Sequence, residues 1–407
     1  MKKHLPVAML FASAILLTQS GTAQVVSGNA FMQNAYVEMG INPTGTYISN
    51  VAAPAGYHYT GLFSGLGIIA DSDKDGWAVG APAYCGDYFS PGSPEEGFVV
   101  EANGSVYYND FYSAGIGGMI IGWGTGGGST TTTWKGTIPA AGLLVLQRTS
   151  LIPGSTMIFT TIAIRNAGPT TATNVFYTRN ADPDNDQEFA GDFSTNNIVV
   201  QNHPVDPWAY VSATGLEAGC FFAMISEQTS ARATYGGFST AAVTPSLCYT
   251  GTDPWFLSGA VTSDIAIQIT NRFGNIAPGQ TKIFNFIYGT NQDDLDAYVG
   301  FTTDEVARSM EANLSGMDID FNPTFSVSPN PSHGDINLYG YGFSGSSELN
   351  MQVVNLVGEV VYAAQLENNA GTTAQKVTLD NSLANGTYFV RIVVDGHNFS
   401  YPFVLAR

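Results

Sequence analysis

The chain has 407 residues, 44% of them hydrophobic and 12% charged, with 14 Lys and Arg against 33 Asp and Glu and a formal charge of −19. A polyanion of this kind repels phosphate backbones and acidic lipid head groups, which excludes nucleic-acid binding and polybasic membrane docking. Charged residues are half as frequent as the roughly 25% of ordinary domains, while Gly and Pro stay below the low-complexity level. The length predicts two to three folded domains at about 150 residues each.

The N-terminus carries Lys2 and Lys3, an apolar run over residues 5–17, then Gly21-Thr22-Ala23. This is the layout of a secretory signal peptide: a basic start, a short apolar stretch and small residues before the cut. The run is shorter than the ~20 residues that span a bilayer. Residues 1–23 are therefore expected to be removed after Ala23, with the exported chain starting at Gln24. No other stretch is long and apolar enough to be transmembrane. In an oxidising compartment Cys220 and Cys248 could pair, leaving Cys85, and three separate buried thiols are an equal alternative. There is no CxxC, and His4, His58, His203, His333 and His397 are scattered, so zinc is poorly supported.

Beyond the leader the signal is β. Short runs of β-branched and aromatic residues recur between Gly, Pro, Asn and Asp, at 97–101, 106–108, 143–148, 157–165, 174–178, 208–212, 264–270 and 281–288. Asn103-Gly104 suits a tight hairpin because both residues tolerate positive φ. Residues 115–128 are glycine-rich and contain Gly122, Gly124 and Gly127 at GxGxxG spacing. The threonines that follow, at 130–133, are β-formers, so no helix N-terminus faces a pyrophosphate, and the segment reads as a loop entering an edge strand. One short helix is expected near 304–313. Strands without intervening helices predict an all-β fold: a large antiparallel β-sandwich over residues 24–320, built as one wide sandwich or two Ig-like units. A linker at 321–324 leads to a small Ig-like β-sandwich at 325–407.

Three acidic loops are the candidate sites. In Asp71-Ser72-Asp73-Lys74-Asp75-Gly76, carboxylates at alternate positions before a glycine can aim several oxygens at one hard cation, and calcium takes 6–8 such ligands. The closing acid of an EF-hand would fall at Pro82, so a closing carboxylate must come from elsewhere, with Asp87, Glu95 and Glu96 as candidates. Asp182-Pro183-Asp184-Asn185-Asp186 is a second such loop, and Asp293, Asp294 and Asp296 a third. Calcium is thus the expected cofactor, with Asp71, Asp73, Asp75, Asp182, Asp184 and Asp186 as ligands. The plain reading is that acidic turns cap strands and keep the surface soluble.

No GxSxG, HExxH or Walker A motif is present. Two carboxylates facing a groove would suffice for a glycosidase, with Glu95, Glu96, Glu101, Asp182 and Glu188 available. A solvent-facing row drawn from Trp77, Trp123, Trp134, Trp208 and Trp255 would mark a carbohydrate-binding module; packed inward, the same residues are core.

The last segment alternates by two: Leu349, Met351 and Val353 against Asn350 and Gln352, then Tyr388, Val390, Ile392 and Val394 against their neighbours. It also holds Ser328-Pro329-Asn330-Pro331 with Gly334, residues 354–361 (VNLVGEVV), residues 383–390 (LANGTYFV) and an apolar end, Phe403-Val404-Leu405, before Arg407. These four motifs, in order, resemble the C-terminal sorting domain of type IX secretion substrates of Bacteroidota, although Tyr401-Pro402 stands where that family usually has a basic residue. The proline pair is expected to fix an extended lead into the first strand, and Gly358 and Gly386 to sit in hairpin turns. The resemblance implies engagement of the type IX machinery, export across the outer membrane, removal of the tail, and release or surface attachment. Residues 156–176, with the turn Asn166-Ala167-Gly168-Pro169, resemble the strand–turn–strand of bacterial surface Ig-like repeats, and residues 276–288, with Pro278-Gly279-Gln280 before a strand, resemble turns in bacterial sandwich domains. The function expected is a secreted or surface-attached protein, non-enzymatic and calcium-stabilised, that adheres to matrix through a glycan or surface-protein ligand. The alternative is a polysaccharide-directed enzyme or its binding module.

Overall fold

Strands recur throughout the described chain, many joined by tight turns and others by longer connections. The computed structural model describes residues 21–58, 65–77, 84–126, 129–301, 323–341, 347–368, 372–394 and 396–407. The strands of the body are β1 (Thr22–Val26), β2 (Asn29–Gln33), β3 (Val37–Ile41), β4 (Ile68–Ala70), β5 (Glu96–Ala102), β6 (Ser105–Asn109), β7 (Gly117–Gly126), β8 (Ser129–Ile138) and β9 (Leu143–Leu151). They continue with β10 (Met157–Asn166), β11 (Ala172–Ala181), β12 (Thr195–Gln201), β13 (Ala209–Gly215), β14 (Phe221–Ser226), β15 (Ala231–Tyr235), β16 (Gly259–Ser263), β17 (Ile267–Ile276) and β18 (Thr281–Gly289). Short helices α1 (Gln187–Ala190) and α2 (Pro245–Thr250) interrupt them, and α3 (Gln292–Phe301) follows β18.

Three sheets form the body. A nine-stranded sheet runs β16-β12-β13-β14-β18-β10-β9-β8-β7, a five-stranded sheet β15-β17-β11-β5-β6, and a four-stranded sheet β1-β2-β3-β4. Period two explains the layering. On β18, Phe284, Phe286 and Tyr288 face inward to meet Tyr177 of β11 and Ile267 and Ile269 of β17 in one continuous core. The opposite face of the nine-stranded sheet is also covered, with Leu295 of α3 packing on Phe159, Trp208, Tyr210 and Ile225. On the outer face of the five-stranded sheet, Cys248 of α2 packs with Val99, Val243 and Trp255.

The fold is the all-β sandwich expected, with local differences. The glycine-rich segment is not a loop: it forms edge strand β7, paired along its length with β8. One of its glycines is needed for approach: a Cβ on Gly118 would lie 2.3 Å from the Trp134 ring, as would one on Gly136 of β8 at 2.2 Å, whereas Gly124 and Gly126 face open space. The Asn166 turn and the turn at Pro278-Gly279-Gln280 are not hairpins. Each carries the chain from one sheet to the other. Asn166 ties the two together, its Nδ2 donating to Thr170 O and Ile276 O at 2.7 and 2.8 Å and its carbonyl accepting from Gly279 N. Asn103 and Gly104 do form the β5–β6 hairpin turn, both at positive φ. The segment at residues 1–20 and the helix expected at 304–313 lie outside the described residues, and the cleavage position expected after Ala23 falls within β1.

The tail has its own core. Its strands are β19 (Thr324–Ser328), β20 (Asp335–Tyr341), β21 (Leu349–Val354), β22 (Val360–Leu366), β23 (Thr372–Thr378), β24 (Gly386–Val394) and β25 (His397–Leu405). They make a three-stranded sheet, β19-β20-β23, and a four-stranded one, β22-β21-β24-β25. Leu349, Met351, Val353, Tyr388, Val390, Ile392 and Val394 all face the core between them, as their alternation predicts.

Candidate functional site

The first acidic loop closes on itself. Asp71 is buried, and its two carboxylate oxygens accept from Asp75 N and Gly76 N at 3.2 and 3.1 Å, while Asp73 and Asp75 are exposed. The loop is held to α3 from outside: Lys74 Nζ pairs with Asp294 at 2.6 Å, and Asn291 Nδ2 donates to Ser72 O at 2.8 Å. Asp294 in turn accepts from Thr156 Oγ1 at 2.6 Å. Two of the sequence's acidic clusters, far apart in the chain, thereby line one wall. Together with Tyr84 and the Cys85–Cys220 disulfide, Asp71, Asp73, Asp75 and Asp293 border a polar cleft of about 240 Å³.

That disulfide differs from both alternatives read from sequence. Cys85 and Cys220 are bonded with Cα atoms 5.7 Å apart, and Cys248 is free and buried. Cys248 lies nearer Cys220 in the sequence, but α2 carries it to the outer face of the other sheet. Proximity along the chain did not translate into proximity in space.

The second acidic loop is a hub beside the disulfide. Asp186 sits inside the 216–220 turn, where Oδ2 accepts from Glu217 N, Ala218 N and Gly219 N and Oδ1 from Cys220 N. Asn185 Nδ2 donates to Ala213 O and Cys220 O at 2.9 and 2.6 Å. Glu188 Oε1 accepts from Asp87 N at 3.1 Å. Asp186 is therefore a turn anchor and stands apart from its two partners in the expected ligand set.

Asp182 and Asp184 behave differently, and Asp264 joins them. One carboxylate oxygen from each of the three lies within 4.8 Å of the others; among the described residues no other three His, Cys, Asp or Glu side chains gather in this way. Burial, with the neighbouring charges of Asp264 and Glu95, lifts the Asp182 carboxyl well above the usual range. Burial and the charges of Asp182, Asp264 and Asp87 push Asp184 up to about 9. Sequence reasoning missed Asp264 because it stands alone at the β16–β17 connection, with no acidic neighbour in the chain to mark it.

The other buried carboxylates are engaged internally. Glu96 meets Arg179 inside the core, where Arg179 Nη2 donates to Oε2 at 2.8 Å, Tyr47 N to the same oxygen and Tyr288 Oη to Oε1. Both side chains are fully buried, and the guanidinium lies 3.9 Å from the Tyr47 ring centroid. Burial raises the Glu96 carboxyl above its ordinary value despite Arg179. Asp87 accepts from Gly67 N, Phe89 N and Ser90 N. Glu95 accepts from Thr240 N, and Glu38 pairs with His58. Of the tryptophans, Trp134, Trp208 and Trp255 are buried, Trp77 is half-buried against the His58 ring, and Trp123 is exposed. They do not form an exposed row.

In the tail, the proline pair does not lead into the first strand, since β19 precedes it. The motif instead joins β19 to β20 and pairs with β25: Ser332 N donates to Val404 O, Ala406 N to Ser332 O, and Val404 N to Asn330 Oδ1. The Arg407 guanidinium donates to the carbonyls of Leu379, Asp380 and Leu383. The first and last motifs are thus one structural unit. Gly358 does occupy a turn at φ +86°.

An all-β body carrying a small two-sheet tail is the class this architecture defines. Residues 326–405 match the secretion system C-terminal sorting domain. Those residues are a type IX sorting tail, which indicates export to the cell surface or beyond and implies engagement of that machinery. No curated protein matches it in sequence. Among solved structures it is similar to a polysaccharide lyase, at 10% identity over 94% of this chain and 47% of that one, with TM-score 0.35. It is also similar to the GH36 α-galactosidase AgaB from Geobacillus stearothermophilus, at 8% identity over 66% and 39%, with TM-score 0.26. The chain spans less than half the length of either protein, and likeness at this level assigns no activity. No described helix is long and apolar enough to cross a membrane.

Proposed function

We propose that the exported body is a non-enzymatic binding protein of the cell exterior, taking matrix or surface ligands at the acidic cleft beside the Cys85–Cys220 disulfide. The observation that carries this reading is the state of the carboxylates. An acid–base pair for glycoside cleavage needs two carboxyl groups facing a substrate groove. Here Glu96, Asp87, Glu95 and Glu38 are held by Arg179, backbone N–H groups and His58 in the interior, and Asp71, the buried carboxyl that borders the cleft, is engaged by two N–H groups of its own loop. The cleft instead offers exposed Asp73 and Asp75 on a loop braced by Asp71 and by the Lys74–Asp294 pair. Such a wall suits hydroxyl-rich or cationic groups, which its oxygens can accept from.

The test is a binding array of extracellular polysaccharides and matrix proteins probed with the full exported chain, with release of reducing ends assayed in parallel. Binding without release, weakened at least tenfold by the double substitution Asp73→Ala and Asp293→Ala, is the expected result. New reducing ends above the level of a heat-denatured control would overturn the reading in favour of a polysaccharide-directed enzyme.

A further inference from the structure

We propose that Asp182, Asp184 and Asp264 form a divalent-cation site, with calcium the ion their donors select. The donor set is all oxygen, which suits hard cations. Two ligands on opposite sides of one ion at about 2.4 Å stand about 4.8 Å apart, and the three carboxylates have oxygens within 4.8 Å of one another.

A second observation concerns Asp184 itself. Asp184 is 4% exposed, and its Oδ1 is buried with no hydrogen-bond partner. A buried acceptor left unpaired is costly, and more so when it is charged. The backbone offers it nothing: Pro183 has no N–H, Asp184 N donates to Tyr88 O, and Asp182 N donates to Glu95 O. Asp71 and Asp186, by contrast, are satisfied by two and four N–H groups respectively. The charges acting on the trio, Asp87, Glu95 and Asp192, are all acidic. None of the ion pairs among the described residues involves the three. Asp182 and Asp184 are buried while Asp264 is exposed, which gives an ion a route from solvent. A bound cation would pin the β16–β17 connection to the 182–188 hub, and through it to the disulfide. This site is separate from the cleft and does not depend on what the cleft binds.

The experiment is calorimetric titration of the EDTA-treated full chain with calcium chloride, alongside thermal unfolding with and without the salt. The expected result is saturable heat for one site at about millimolar calcium or below, and a melting temperature several degrees higher with calcium. Asp264→Asn, at an exposed position, is expected to weaken binding at least tenfold, and Glu217→Gln to leave it unchanged. A flat titration with superimposable melting curves for the wild-type chain would overturn the proposal, leaving shared protons as what holds the carboxyls together. Full heat retained in Asp264→Asn would overturn it equally.

Discussion

The tail and the body are both two-layer β structures, yet they bury different things. In the tail the core is Phe325, Leu338, Met351, Val353, Val390, Ile392, Phe403 and their like, and no charged side chain is buried among its described residues. The body buries Arg179 and Glu96 completely, within a shell of Tyr47, Tyr177, Tyr288 and Gln147. An apolar core is non-directional and tolerant. A buried ion pair is demanding: each charge requires its partner, and removal of one leaves the other stranded. The tail is thus specified by pattern and the body by pairing.

The largest expected effect is on that pairing. Arg179→Ala should destabilise the body by about 3–5 kcal/mol, the cost of an uncompensated buried carboxylate, and leave the unfolding of the tail unchanged. Denaturant unfolding followed by tryptophan fluorescence reads the body alone, since all five tryptophans lie there, and the same titration followed by far-UV circular dichroism adds the transition of the tail. Loss of less than 1 kcal/mol would break the contrast. Next comes the disulfide, which closes a loop of 135 residues. Reduction, or Cys85→Ala with Cys220→Ala, should cost the body about 2–4 kcal/mol, again with no change in the tail, which contains no cysteine.

The smallest effect is at the surface. Lys74→Ala should cost about 0.2–1 kcal/mol as a partly exposed pair. Burial would raise the Asp294 carboxyl, but the Lys74 ammonium and Thr156 hydroxyl outweigh it and hold it below its ordinary value. A carboxylate lowered on folding contributes stability above its unfolded pKa of about 3.9, and the contribution disappears as pH falls through the folded value. The difference between wild type and Lys74→Ala should therefore be present at pH 6 and absent near pH 2, measured by urea midpoints.

Much of this was legible from residues alone, for a physical reason. A strand's side chains alternate every second position, so Leu349, Met351 and Val353 announce their shared face without reference to any other part of the chain. The same local logic yields the β-rich body, the Asn103-Gly104 hairpin and the sorting tail. It misplaced the glycine-rich strand β7, which is set by its pairing with β8 and by the Trp134 ring against Gly118, partners that lie outside the segment.

What only the tertiary structure decided is which distant groups meet. Asp71, Asp184 and Asp186 look alike as letters in acidic turns. Folding gives the first two backbone donors from its own loop, the last four donors from the 216–220 turn, and Asp184 the company of Asp182 and Asp264. Cys85 likewise finds Cys220 across 135 residues while Cys248 turns to the opposite face. Such meetings depend on sheet order and on arches that cross between layers, quantities to which a two-residue period is blind.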